Sequence, residues 1–353
     1  MRRPSDLNRK HPNGFPATAM RGLILVLAAC SPLLAASAVA VPAASPQAPA
    51  ARAVPPTRRV TGRVVHPEGQ RLAPVGGEWV TLHRVGSDTA GPVDSMRTSS
   101  DGQYAFTYHP WGASDAVYFV SASYDGVAYL SQPLTEAVVT GPAAEITVYD
   151  TTSRTVPLRV RGRHLVVGAP NANGLRAIIE VFELSNDTSV TAVSPSSTGD
   201  HPTWSIALPE GARQFAVGQG DVAADAVGVI GGRVSVFAPF APGLKQLSFS
   251  YALPASAFPL VRAMPAGAIV LEVLVEETGA QVSGPGIREV APVAAEGRTF
   301  RRFLAQDLPA GAAVRITVPV VASGRRTVYI TAIAIAVGVV MLGALGVAFT
   351  RRT

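Results

Sequence analysis

From Val60 onward apolar and polar residues alternate in short runs, and glycine, proline, asparagine or aspartate interrupts them about every ten residues. A period of two sends successive side chains to opposite faces of a strand. The alternation therefore predicts half-buried strands over 60–65, 79–84, 94–98, 104–108, 116–124, 128–132 and 145–149. Seven strands in about ninety residues fit one β-sandwich, residues 60–150. The pattern returns over 156–160, 164–167, 177–184, 204–208, 233–237 and 247–251, and again over 269–275, 299–303 and 314–318. Residues 155–253 and 259–321 are read as a second and a third β-rich unit with a break at 253–258, although one large sandwich would alternate in the same way. No amphipathic helical period precedes the C-terminal segment. There, residues 328–349 are apolar except for Thr331, and as a helix they would be roughly 33 Å long, enough to cross a hydrocarbon core of about 30 Å.

The other end of the chain has the layout of an export signal. A basic leader (Arg2, Arg3, Arg9, Lys10, Arg21) precedes Leu23-Ile24-Leu25-Val26-Leu27 and then Ala38-Val39-Ala40, small residues that suit a signal peptidase cleft. Residues 1–40 are expected to be a signal peptide and 41–59, rich in Ala and Pro, a flexible linker. Leu27-Ala28-Ala29-Cys30 offers a competing lipobox, in which the cysteine is acylated and becomes the N-terminus. Export followed by a halt at 328–349 would leave residues 350–353 as a cytoplasmic tail.

Three stretches of the first unit carry a family resemblance. They are Thr61-Gly62-Arg63-Val64-Val65, then Trp79-Val80-Thr81-Leu82 after the turn Pro74-Val75-Gly76-Gly77, then Thr98-Ser99-Ser100-Asp101-Gly102-Gln103-Tyr104-Ala105-Phe106. Together, over about 59–150, they resemble the carboxypeptidase regulatory-like domain, a transthyretin-like β-sandwich. The resemblance implies a non-catalytic module for structure or binding. Some related sandwich modules form a lysine to asparagine crosslink, which the lack of lysine in 60–150 excludes there.

Composition shifts this picture in two ways. The net charge is +6, but the leader carries +4 and the four arginines flanking the apolar segment another +4, so the body between them is at −2. The basic balance is thus a membrane-topology signal and not a nucleic-acid one. Cys30 is the only cysteine, so no disulfide supports the exported body, which fits a bacterial envelope protein with large apolar cores.

Candidate chemistry is sparse. His66, His83, His109, His164 and His201 show no H-x-x-x-H or H-x-H spacing, so no metal site or cofactor is expected. No G-x-S-x-G, S-x-x-K or P-loop pattern occurs. Ser205, His201 and Asp200 sit too close in sequence to converge as a triad, Gly218-Gln219-Gly220-Asp221 reads as a turn, and Asn186-Asp187-Thr188 fits a glycosylation sequon. The notable enrichment is aromatic: Tyr104, Phe106, Tyr108, Trp111, Tyr118, Phe119, Tyr124 and Tyr129. Alternation assigns Tyr104, Phe106 and Tyr108 to one face as core. Trp111, in the loop His109-Pro110-Trp111-Gly112, is the candidate contact for a partner or glycan.

The expected protein is all-β, with tandem sandwiches between a signal peptide and one transmembrane helix. It is non-enzymatic, sits in the bilayer of a bacterial cell membrane, and binds or scaffolds an envelope component. The alternatives are an accessory subunit of a membrane complex, such as respiratory or cytochrome maturation machinery, and a carbohydrate-binding surface protein. Mass spectrometry of the purified protein is expected to find Val41 at the mature N-terminus; acylated Cys30 would reverse this.

Overall fold

The computed structural model describes residues 56–195, 201–295 and 297–319. The signal peptide, Cys30, most of the linker, the apolar segment 328–349 and the tail all lie outside the described residues. Among the described residues no helix is long and apolar enough to cross a membrane.

The first sandwich consists of β1 (Arg58–Glu68), β2 (Arg71–Pro74), β3 (Trp79–Val85), β4 (Ala90–Arg97), β5 (Gln103–Tyr108), β6 (Val117–Tyr124), β7 (Val127–Leu130) and β8 (Val138–Thr147). One sheet centres on β1, which pairs antiparallel with β2 and β5 and parallel with β8; the other runs β4-β3-β6-β7. The first strand takes in the last two residues of the expected linker, because Arg58 and Arg59 already pair with Tyr108 and Thr107. Between the sheets lie Val60, Val64, Val80, Leu82, Tyr104, Phe106, Tyr108, Val120 and Ile146, all buried. The face assigned to Tyr104, Phe106 and Tyr108 from alternation is the core face.

Two glycines of the quoted motifs have steric reasons. Gly62 lies where the β1–β8 register shifts, and a Cβ there would sit 2.0 Å from the Ala144 carbonyl that accepts the Tyr104 hydroxyl. Gly102 takes φ of 71° in the turn before β5, a conformation other residues rarely adopt.

The larger body comprises β9 (Thr151–Thr152), β10 (Leu158–Pro170), β11 (Leu175–Asn186), β12 (Thr191–Ala192), β13 (Trp204–Ala207), β14 (Arg213–Val217), β15 (Val227–Ile230), β16 (Arg233–Val236), β17 (Gly243–Pro254), β18 (Leu260–Met264), β19 (Ala268–Val275), β20 (Gln281–Ser283), β21 (Arg288–Ala295), β22 (Arg298–Leu308) and β23 (Ala312–Thr317). Seven of them form one sheet in the order β14-β17-β11-β10-β19-β22-β21. Strands of 155–253 and of 259–321 are therefore neighbours, since β10 pairs in parallel with β19. One sheet thus runs through both segments. Two three-stranded sheets, β13-β16-β15 and β18-β23-β20, share its principal core, where Leu165, Phe182, Phe249, Val234, Val314 and Ile316 meet. The expected pair of strands at 156–160 and 164–167 is one long strand, β10, with a register shift between Val160 and Gly162.

A polar joint links the two bodies. The Tyr129 hydroxyl donates to the Tyr149 carbonyl at 2.9 Å and lies 2.7 Å from the Thr191 hydroxyl. Asp125 accepts from the Thr151 amide and hydroxyl, and Val193 and Ala241 pack against the first core.

Replacing Phe106, 3 % exposed, by alanine is expected to cost about 3–5 kcal/mol through lost burial and the cavity left behind. Trp111→Ala, at a position 52 % exposed, should shift the melting temperature far less. Thermal melts of the two variants measure this, and equal shifts would contradict the assigned core.

Candidate functional site

Trp111 lies at one end of the first sandwich. Its ring packs face-on against the Arg84 guanidinium, 4.1 Å from carbon to ring centroid, and its carbonyl accepts from Arg84 Nε at 2.9 Å. Arg84 comes from the inward-facing register of β3 and is 1 % exposed, held also by Asp88 at 2.6 Å and the Thr89 carbonyl. The hydrogen bond from Arg84 and two backbone amides hold the Asp88 carboxyl below its usual range despite partial burial. Trp111 is thus half-exposed, with one face of its ring covering a buried cation. The sequence reading found Trp111 and missed Arg84, because a charged residue within a strand is ordinarily assigned to the solvent face.

The most densely bonded charged cluster was also missed. Glu180 on β11 is fully buried, and both Arg163 Nε and Nη2 donate to its Oε2, at 3.1 and 2.5 Å. The Tyr251 hydroxyl on β17 donates to Oε1 at 2.6 Å. Arg262 Nη2 on β18 lies 2.8 Å from the same oxygen, an ionic contact whose angles fall short of a hydrogen bond. Arg163 also donates to the Ala263 carbonyl and lies over the Phe182 ring, and Arg262 to the Ala207 carbonyl. Burial pushes the Glu180 carboxyl up, but Arg163, Arg262 and the tyrosine hydroxyl bring it below its ordinary value. Burial and the Glu180 charge raise the Tyr251 hydroxyl well above 10. With its lone pairs occupied, Glu180 has the surroundings of a structural clasp rather than of an acid or base open to substrate.

On the opposite face of the seven-stranded sheet, His164 Nδ1 lies 2.7 Å from Glu272, which also accepts from Arg302 Nε at 2.5 Å. Burial acts to raise the Glu272 carboxyl, but the hydrogen bonds and charges of His164 and Arg302 hold it below its usual range. His164 Nε2 is buried without a hydrogen-bond partner, 4.0 Å from Glu183. Among the described residues no group of three histidine, cysteine or carboxylate side chains is placed to hold a metal.

The remaining sequence candidates do not converge. Ser205 Oγ accepts from Arg233 at 2.9 Å, His201 offers its carbonyl to Ser194, and Asp200 lies outside the described residues. Residues 218–221 extend the edge of β17, with Gly218 and Asp221 amides bonded to Ser248 and Gln246 carbonyls. The Asn186 amide is 1 % exposed and donates to the Val190 and Phe240 carbonyls, so the sequon is closed to modification in the folded state. Clefts of about 180 Å³ beside Val270 and Leu304, and of about 240 Å³ beside Gly62 and Glu145, are smaller than the roughly 300–1,000 Å³ that holds a drug-sized ligand.

No family model and no curated protein sequence matches this chain. Among solved structures it is similar to the crystal structure of the major pilin subunit of Bacillus cereus, with 9 % identity, a TM-score of 0.20, and coverage of 73 % of this chain and 87 % of that one. A likeness at that level carries no argument about function. What stands is an all-β chain of sandwich character.

Glu180→Gln keeps the volume and removes the charge, leaving Arg163 and Arg262 buried without their counter-ion, and is expected to cost about 3–5 kcal/mol in chemical denaturation. Because Glu180 and Glu272 have folded pKa values below their unfolded ones, their contribution is present above the unfolded value and lost as pH falls. The contribution of these two carboxylates should be lost below about pH 4.5, so the acid limb of the stability profile should be shallower in Glu180→Gln.

Proposed function

We propose that this chain is a non-enzymatic, membrane-anchored extracytoplasmic protein of a bacterial envelope, whose β-sandwiches bind or scaffold another envelope component. The first sandwich is read as a carboxypeptidase regulatory-like module on its motif residues. The observation that carries the reading is the joint between the two bodies. A linker that lets domains move leaves few contacts across it, whereas here Tyr129, Tyr149, Thr151, Asp125 and Thr191 close the connection with side-chain and backbone hydrogen bonds. A fixed angle between modules serves a scaffold, which must hold a partner at a set position. The buried charges favour the same reading, since Arg84 and Glu180 are consumed in clasps that stiffen the modules. Residues 1–40 and 328–349 supply the export signal and the anchor in this proposal.

Fractionation of cells producing the full chain tests it: the protein should stay in alkali-washed membranes, and protease added to spheroplasts should degrade its body. A soluble, protease-protected chain would refute the proposal. Tyr129→Phe removes the hydroxyl at the joint and is expected to cost about 1–2 kcal/mol. It should also open the segment around Thr151 to limited proteolysis. Unchanged proteolysis would mean that the joint is fixed by other contacts.

A further inference from the structure

The outer face of the sheet β4-β3-β6-β7 has a composition of its own. Outward-facing residues of β3 are Trp79, Thr81, His83 and Val85, and the register sets them in rows with their neighbours. Trp79 lies beside Arg97. Thr81 sits between Ser95 and Ser121, with Leu130 beyond, and His83 between Pro92 and Phe119. Val85 lies between Ala90 and Val117. Trp79 is 50 % exposed and Leu130 61 %. The Phe119 and His83 rings stack with centroids 5.1 Å apart and planes 14° from parallel. The face therefore alternates rings and hydroxyls, with one side of the Phe119 ring against His83.

Charge is nearly absent from these rows. Arg97 lies over the Trp79 ring, 4.7 Å from its centroid, and donates to the Gly77 carbonyl. His83 is bonded to the Ser121 hydroxyl at 2.8 Å, and burial lowers its pKa, which keeps it neutral. With Arg97 as the cation in these rows, the face offers a polyanion or an acidic peptide a single positive charge. Its size is equally selective: seven residues at about 3.4 Å by four strands at about 4.8 Å span roughly 450 Å². A stable protein partner covers about 800 Å² on each side. A pyranose ring suits both properties, since its C–H face packs on an aromatic plane and its hydroxyls need groups that both donate and accept. Thr81 and Ser95, 3.0 Å apart, share one hydrogen bond and keep a proton and lone pairs between them for a ligand.

We propose that this face binds a neutral glycan chain, with Trp79 and Phe119 as stacking rings and Thr81, Ser95 and Ser121 as hydrogen-bonding partners. It deepens the binding reading above and names its ligand class, while its test does not depend on where the protein resides.

The test uses the full-length protein in a non-glycosidic detergent, mixed with insoluble cellulose, chitin, β-1,3-glucan and starch, and with an anionic control, heparin-agarose. Depletion onto at least one neutral polysaccharide is expected, undiminished by about 0.5 M salt, which screens charge–charge attraction. Trp79→Ala and Phe119→Ala should each weaken binding by about tenfold, equivalent to about 1.4 kcal/mol. Leu244→Ala, an exposed apolar position in the larger body, should leave it unchanged. Leu130→Ser provides a second change on the face at a side chain with little packing to lose. Circular dichroism confirms that each variant is folded. Absence of retention on all four neutral polysaccharides overturns the proposal, as does retention that salt abolishes, or that the folded face variants keep in full. A dimer that Trp79→Ala dissolves overturns it in favour of a second copy of the chain as occupant. Loss of membrane location with glycan binding intact would refute only the envelope reading.

Discussion

An ionised carboxylate survives in a dry core only where cations and hydrogen-bond donors replace the water it has lost, and the larger body is arranged around one such group. Glu180 stands in the middle of β11, and its partners come from β10, β17 and β18. Arg163 and Tyr251 belong to the seven-stranded sheet, while Arg262 arrives from the three-stranded sheet facing it. The cluster therefore fixes how the two layers sit on one another. A slip of one residue in β18 would turn Arg262 to the other face and leave the carboxylate short of a cation. Apolar packing alone is less discriminating, because Leu, Ile and Val tolerate exchange of neighbours. The ionic cluster serves the register of the layers more than their net stability, since replacing a buried ion pair by apolar residues is often neutral.

The smaller sandwich uses the same device at its rim. Arg84 is drawn under Trp111 and fastened to Asp88 and the Thr89 and Trp111 carbonyls, which closes the end of the sandwich next to the loops. Tyr104 and Tyr129 bury their rings and spend their hydroxyls on carbonyls of neighbouring segments, Ala144 and Tyr149. In this sandwich the aromatic enrichment thus divides by function. Rings that face inward hold the sheets and the joint, while Trp79 and Phe119 face outward on the β4-β3-β6-β7 sheet.

Strand positions in the first sandwich were legible because one face of each strand is dry and the other wet, so burial writes a period of two into the sequence. The core assignment of Tyr104, Phe106 and Tyr108 came from that same signal. The larger body was harder to read. β21, for example, is an exposed edge strand containing Pro292, which leaves it without a clear apolar stripe.

Sequence alone therefore located many of the strands and the rings that turn inward, since both follow from local spacing, but it passed over β2, β14, β15, β18, β20 and β21. It left open whether 155–253 and 259–321 share a sheet. The pairing of β10 with β19 joins residues about one hundred positions apart through backbone hydrogen bonds that any apolar strand can make. The buried ions were hidden for a related reason. A charged residue in a strand signals solvent unless its counter-ion is known, and Arg163, Glu180 and Arg262 acquire theirs from strands that only the folded chain brings together. Burial of one face is a property of a strand, whereas choice of partner is a property of the whole packed molecule.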